Sequence, residues 1–83
     1  MTAKTEIHKF VQDLLTSNND HQSLRDDESL LLSGRLQSVD GIEIVLFLEE
    51  RFGIDFAEVG FYREQIDSID AIYALAQTAT THR

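Results

Sequence analysis

Ile7, Phe10, Val11, Leu14 and Leu15 fall at i, i+3, i+4, i+7 and i+8, the stripe of a helix with one buried face. The segment from Thr2 to Ser17 is thereby committed to an amphipathic helix that needs a partner to cover it, and Ser17-Asn18-Asn19-Asp20 has the turn chemistry to end it. A second helical pattern runs from about Val39 to Phe52, with Ser38 as the predicted N-cap and Gly53 as its stop. A third begins near Ser68, again an N-cap serine, followed by an acid at Asp70 that suits a helix start. It carries Ile69, Ile72, Tyr73 and Ala76 on one face.

The connections are less regular. Between Asn18 and Gln37 no period is sustained, yet Leu30, Leu31, Leu32 and Leu36 are costly to leave in water. The loop is therefore expected to cross the bundle and plug its leucines into the core, with a turn of helix beginning near Asp27 and a backbone reversal at Gly34. Ile54 to Gln65 is expected to include one short helix, and Thr78 to Arg83 to fray, leaving about 3–77 as the ordered core. With no proline among 83 residues, the simplest architecture is all-α: a single domain over 1–83, folded as a four-helix bundle of three long helices and one short one, with a long first loop.

A chain of this length buries only about 60% of the surface its unfolded form exposes, so modest stability is expected. It has no cysteine and one methionine, which leaves no disulfide framework and no thiolate metal site. Fifteen acidic against seven basic side chains give a net charge of -8. Such a field repels nucleic acid and anionic lipid, and it speeds encounter with a basic patch on another protein. Met1 to Phe10 lacks the basic start, apolar run and small-residue cleavage site of a secretory signal, and no stretch has the apolar length of a membrane span. A cytoplasmic, soluble monomer is the expectation.

The second helix has two apolar faces. At about 100° per residue, Gly41, Ile44, Val45, Leu48 and Phe52 gather on one side, enough to bury in a small bundle. Val39, Ile42 and Leu46 gather opposite, interleaved with Glu43, Glu49 and Glu50. A domain this small has no room for a helix wrapped on every side, and unpaired acids resist desolvation. The second face reads as an exposed apolar stripe rimmed by carboxylates, which suits a docking surface. The plainer reading is that the long loop covers Val39 and Leu46.

At Leu36-Gln37-Ser38-Val39-Asp40 a serine stands where the loop meets this helix. The segment Leu32 to Phe56, LSGRLQSVDGIEIVLFLEERFGIDF, resembles the acyl and peptidyl carrier proteins around their phosphopantetheine serine, and Ile66-Asp67-Ser68-Ile69-Asp70-Ala71-Ile72 resembles the start of that family's last helix. The likeness rests on a combination: Gly34 and Leu36 before the serine, Glu43 five residues after it, and Glu49-Glu50 with Phe52 closing the helix.

The resemblance implies an acyl-carrier-protein-like bundle that is not itself an enzyme. It implies a 4'-phosphopantetheine cofactor delivered from coenzyme A to Ser38 by a separate phosphopantetheinyl transferase. It also implies partner-binding residues at Val39, Asp40, Ile42, Glu43, Leu46, Glu49 and Glu50. Expected partners are an acyl- or aminoacyl-loading ligase and downstream synthase or transferase enzymes with basic patches.

Two departures, Gln37 where the family commonly has Asp and Gly41 near a helix start, point toward a specialised pathway: secondary-metabolite, aminoacyl or modified fatty-acid. Glycine there costs about 1 kcal/mol relative to alanine, so it is expected to relieve crowding against the loop or the last helix.

Rival readings are weaker. Ser38, Asp40 and the histidines His8, His21 and His82 suggest hydrolysis, but nothing in the sequence aligns a base with the serine. Asp26-Asp27-Glu28 lacks the alternating ligands and turn glycine of a calcium loop and is expected to be a solvated turn or a helix start. The alternative from another class is an unmodified acidic helical adaptor that uses the same stripe.

Overall fold

The computed structural model describes residues 2–56, 60 and 62–81. Three α-helices are present among them and no strand: α1 (Ala3–Ser17), α2 (Ser38–Phe52) and α3 (Ile69–Thr81). One turn of 3-10 helix, Arg63–Ile66, precedes α3. None of the described helices is long and apolar enough to cross a membrane.

Each helix is bounded by local chemistry. The Thr2 hydroxyl accepts from the Thr5 backbone N–H at 3.2 Å and opens α1. At its far end the Asn18 N–H bonds back to Leu14 and Leu15, and Asn19 takes a left-handed φ of 64°, a conformation Asn tolerates. Gly53, with φ 67°, closes α2 by donating to the Glu49 carbonyl at 3.1 Å. Ser68 caps α3, its hydroxyl accepting from the Ala71 N–H at 3.1 Å. α3 is helical through Thr81, with Leu75 and Ala76 anchored in the core. His82 and Arg83 lie outside the described residues.

The predicted stripes meet in one core. Ile7, Val11, Leu14 and Leu15 of α1 pack with Ile44 and Leu48 of α2 and with Ile69, Ile72, Leu75 and Ala76 of α3. Ile54, Phe56 and Ile66 complete it from the irregular stretch. Phe10 stacks on Phe47 with centroids 4.2 Å apart, and Phe52 meets Phe47 edge-on. Glu6 and Arg51 pair across α1 and α2.

The short fourth helix expected within Ile54 to Gln65 falls largely on 57–59 and 61, which lie outside the described residues; Phe56 is helical, its carbonyl accepts from the Gly60 N–H at 2.9 Å, and the 3-10 turn follows. No helix begins near Asp27 either, where the chain forms turns.

The long loop between α1 and α2 is held by polar groups as much as by leucines. Leu30 and Leu36 are fully buried and Leu31 packs on the core edge, but Leu32, expected inside, is 85% exposed. The physical reason is geometric: successive residues in a turn diverge, and the core takes only those that face it.

Arg35 spends all of its donors here. Its Nε and Nη2 fork onto Asp20 at 2.9 and 3.1 Å, Nη1 reaches Glu28 at 2.7 Å, and the Ser23 and Gln22 carbonyls accept the remaining hydrogens. Asp67 stitches the loop to the start of α3, accepting from the Ser29 hydroxyl and the Leu31 N–H, each at 2.6 Å. The acids Asp26, Asp27 and Glu28 are taken up by neighbours in the same way, and no metal-binding cluster forms among the described residues.

This network sets an acid sensitivity. Arg35 holds the Asp20 carboxyl below its ordinary value, and the Arg25 N–H together with Arg35 does the same for Glu28. A carboxylate depressed in the folded state adds stability that is present above its unfolded pKa, near 3.8 for Asp20 and 4.5 for Glu28, and lost as pH falls through the folded values. Thermal melts are accordingly expected to be flat from pH 7 to about 5 and to fall below about pH 4. An unchanged melting temperature in that acid range would mean that the loop acids are not coupled to folding.

Candidate functional site

Ser38 is exposed in the first turn of α2. It was expected as the N-cap, but that position belongs to Gln37, and Ser38 is the first helical residue. The reason lies in Asp40, whose Oδ2 accepts from the Gln37 N–H at 2.9 Å and from the Asn18 side chain at 3.2 Å. The carboxylate therefore performs the capping and ties the end of α1 to the start of α2. The Ser38 hydroxyl is left without a hydrogen-bond partner among the described residues. The same bonds correct the reading of Asp40: it is buried and turned inward rather than displayed with the stripe.

The other stripe residues are on the surface. Val39, Ile42 and Leu46 are 64, 61 and 53% exposed, so the loop does not cover them. Glu43 and Glu50 are exposed beside them, and Glu49 is half-buried. On the opposite side Gly41, Ile44 and Leu48 are buried as the angular spacing required, with Val45 and Phe52 half-buried. Tyr62 adds a further exposed apolar surface that periodicity could not flag, because it stands in the irregular stretch.

Beside Ser38 lies an apolar groove of about 340 Å³. Ser38, Ile42 and Leu46 form its α2 edge, Val45 and Ile66 its floor, and Leu31 the loop side. Arg63 completes the lining from the 3-10 turn, and it also borders a smaller neighbouring hollow with Glu64 and Asp67. The groove exists because Gly41 lets the 3-10 turn come close: a Cβ at Gly41 would sit 3.1 Å from Ile66 Cδ1. The crowding that Gly41 relieves is thus with the turn before the last helix. Ligand pockets run from about 300 to 1,000 Å³, so the groove is at the small end of that range.

No histidine lines this groove. His8 is held on Asp26 at 3.0 Å, in a separate polar hollow between α1 and the loop, and His21 is exposed. The geometry offers an accessible hydroxyl, an apolar trough and an acidic apolar face, but no general base near the serine among the described residues.

No protein-family model matches the chain, and neither the curated proteins nor the solved structures give a match. The functional reading therefore stands on the residues and their arrangement.

Proposed function

We propose that the chain is a carrier protein of the acyl or peptidyl type, with the four-helix carrier fold. Its 4'-phosphopantetheine arm is attached at Ser38 and presents a thioester cargo to enzymes that dock on α2. The observation that carries this reading is the exposed Ser38 hydroxyl, without a hydrogen-bond partner among the described residues, in the first turn of a helix whose outer face displays Val39, Ile42 and Leu46 among carboxylates.

In the loading step the Ser38 oxygen forms a bond to the phosphorus of coenzyme A that bears the pantetheine. The pyrophosphate linkage breaks, adenosine 3',5'-bisphosphate leaves and the hydroxyl proton is lost. The base and the metal for that step come from the transferase. Tethering then gives the cargo a high effective concentration at any enzyme the carrier touches. A net charge of -8 favours fast encounter over tight residence, as a shuttle requires.

Incubating the purified chain with a broad-specificity phosphopantetheinyl transferase and coenzyme A tests the proposal. The intact mass is expected to rise by one phosphopantetheinyl group. An unchanged mass beside a control carrier that is modified would favour the unmodified adaptor instead.

Docking has its own test. Glu43→Lys with Glu50→Lys is expected to slow cargo transfer to a basic partner enzyme about tenfold at low salt, with most of the difference erased at high salt. Helix content by circular dichroism is expected to stay unchanged, because exposed charges add little to folding. Collapse of the helical signal would make both residues structural.

A further inference from the structure

The cations of the described chain are nearly all occupied. Lys4 is tied to Asp70 and Asp26, Arg25 to Asp27, Arg35 to Asp20 and Glu28, and Arg51 to Glu6. Lys9 and Arg63 have no such tie among the described residues. Of the two, Lys9 borders the hollow between α1 and the loop, whereas Arg63 lines the groove that Ser38 shares.

The backbone brings Arg63 toward Ser38. In a 3-10 turn, residues i and i+3 eclipse, so Arg63 lies on the same side of its turn as Ile66. Ile66 abuts Gly41, which is three residues, or about 4.5 Å of helix rise, from Ser38. Nothing at Gln37 competes for the guanidinium, since that exposed neighbour of Ser38 is neutral, and Asp40 is turned inward on its capping bonds. An exposed arginine at the wall of an otherwise apolar trough has a natural ligand in an oxyanion, which it can grip with two parallel hydrogen bonds.

We infer that Arg63 is a positioning residue for the prosthetic arm: it pairs with the phosphodiester at Ser38 and lays the arm's apolar first segment along Ile42 and Val45. The inference rests on the carrier reading, because that reading supplies the phosphate. It accounts for a charge that otherwise has no function in the groove. It also supplies a local counter-charge where a chain of net charge -8 would gain a further negative group. The occupant is the arm itself, since Ser38, its attachment point, lines the same groove as Arg63.

Phosphorus and guanidinium NMR on the modified chain tests it, with intact mass measured on the same samples. The phosphodiester resonance of the wild type is expected to differ from that of Arg63→Gln, and the Arg63 Nε–H resonance to move when the unmodified protein is converted to the modified one. Arg63→Lys is expected to keep part of the phosphorus shift, because a point charge replaces a fork. Salt at about 0.5 M is expected to shrink it.

Identical phosphorus resonances in wild type and Arg63→Gln, on protein whose mass shows the group attached, would overturn the pairing and leave the carrier reading intact. An Arg63 shift that appears only after loading a dicarboxylic acyl group would also overturn it, assigning the anion to the cargo. Absence of the mass increase would instead sink the carrier reading, and the pairing with it.

Discussion

Ser38→Ala is expected to fold like the wild type and to accept no phosphopantetheine at all. The two halves of that result have separate causes. Ser38 is exposed, and its hydroxyl has no hydrogen-bond partner among the described residues; the capping of α2 is done by Asp40. Alanine is a good helix former, so at this position the substitution is expected to change stability by less than about 0.5 kcal/mol. The chemistry, by contrast, has no substitute. The neighbouring Gln37 and Val39 carry no nucleophilic oxygen, and the other loop serines do not open onto the groove. Thermal melting and intact mass after transferase treatment read the two halves together. Residual modification of the alanine variant would move the attachment point elsewhere, and a large drop in melting temperature would make Ser38 a structural residue.

Arg35→Met is expected to have the largest effect on stability of any surface-loop change. The arginine side chain is only 14% exposed and satisfies two carboxylates and two carbonyls at once. Methionine keeps much of the stem's packing and removes every one of those bonds, leaving Asp20 and Glu28 close together without their shared cation. Charge-assisted hydrogen bonds are worth more than ordinary ones, and the loss is expected to reach about 2 kcal/mol. In a domain of this size that corresponds to a melting temperature lower by roughly 10 °C. The acid dependence of the melts is expected to flatten as well, because Arg35 is a cause of the shift in both carboxyls. Backbone amides of the loop are expected to exchange faster while those of the α1 core are less affected. A melting temperature within a degree or two of wild type would show that the leucines alone hold the loop.

The contrast between these two residues shows what the sequence makes visible. The place of Ser38 at the start of α2 was legible because the apolar residues of that helix obey a period, and periodicity also located α1, the buried side of α2 and the first turns of α3. Arg35 was not legible: its partners lie fifteen and seven residues away in a stretch with no period, and only the folded loop brings them together. The same limit explains Leu32. Hydrophobicity alone assigned it to the core with Leu30 and Leu36, whereas turn geometry points it outward.

Asp40 was placed with the partner-binding residues by the resemblance alone, and a likeness of sequence does not register that an acid in the first turn can fold back onto the N-cap backbone. The groove and Arg63 were missed altogether, since they arise from a 3-10 turn approaching Gly41. The oddity of that glycine was the one signal in the sequence that something packs there.

The account depends on a covalent group at one hydroxyl, so its most direct test is the intact mass of this protein isolated from the cells that make it, followed by fragmentation to locate any adduct. The result expected is a chain heavier by phosphopantetheine, with or without an acyl group on its thiol, and with the added mass confined to the fragment that contains Ser38. A chain recovered wholly at its bare sequence mass, or one modified at another residue, would contradict it.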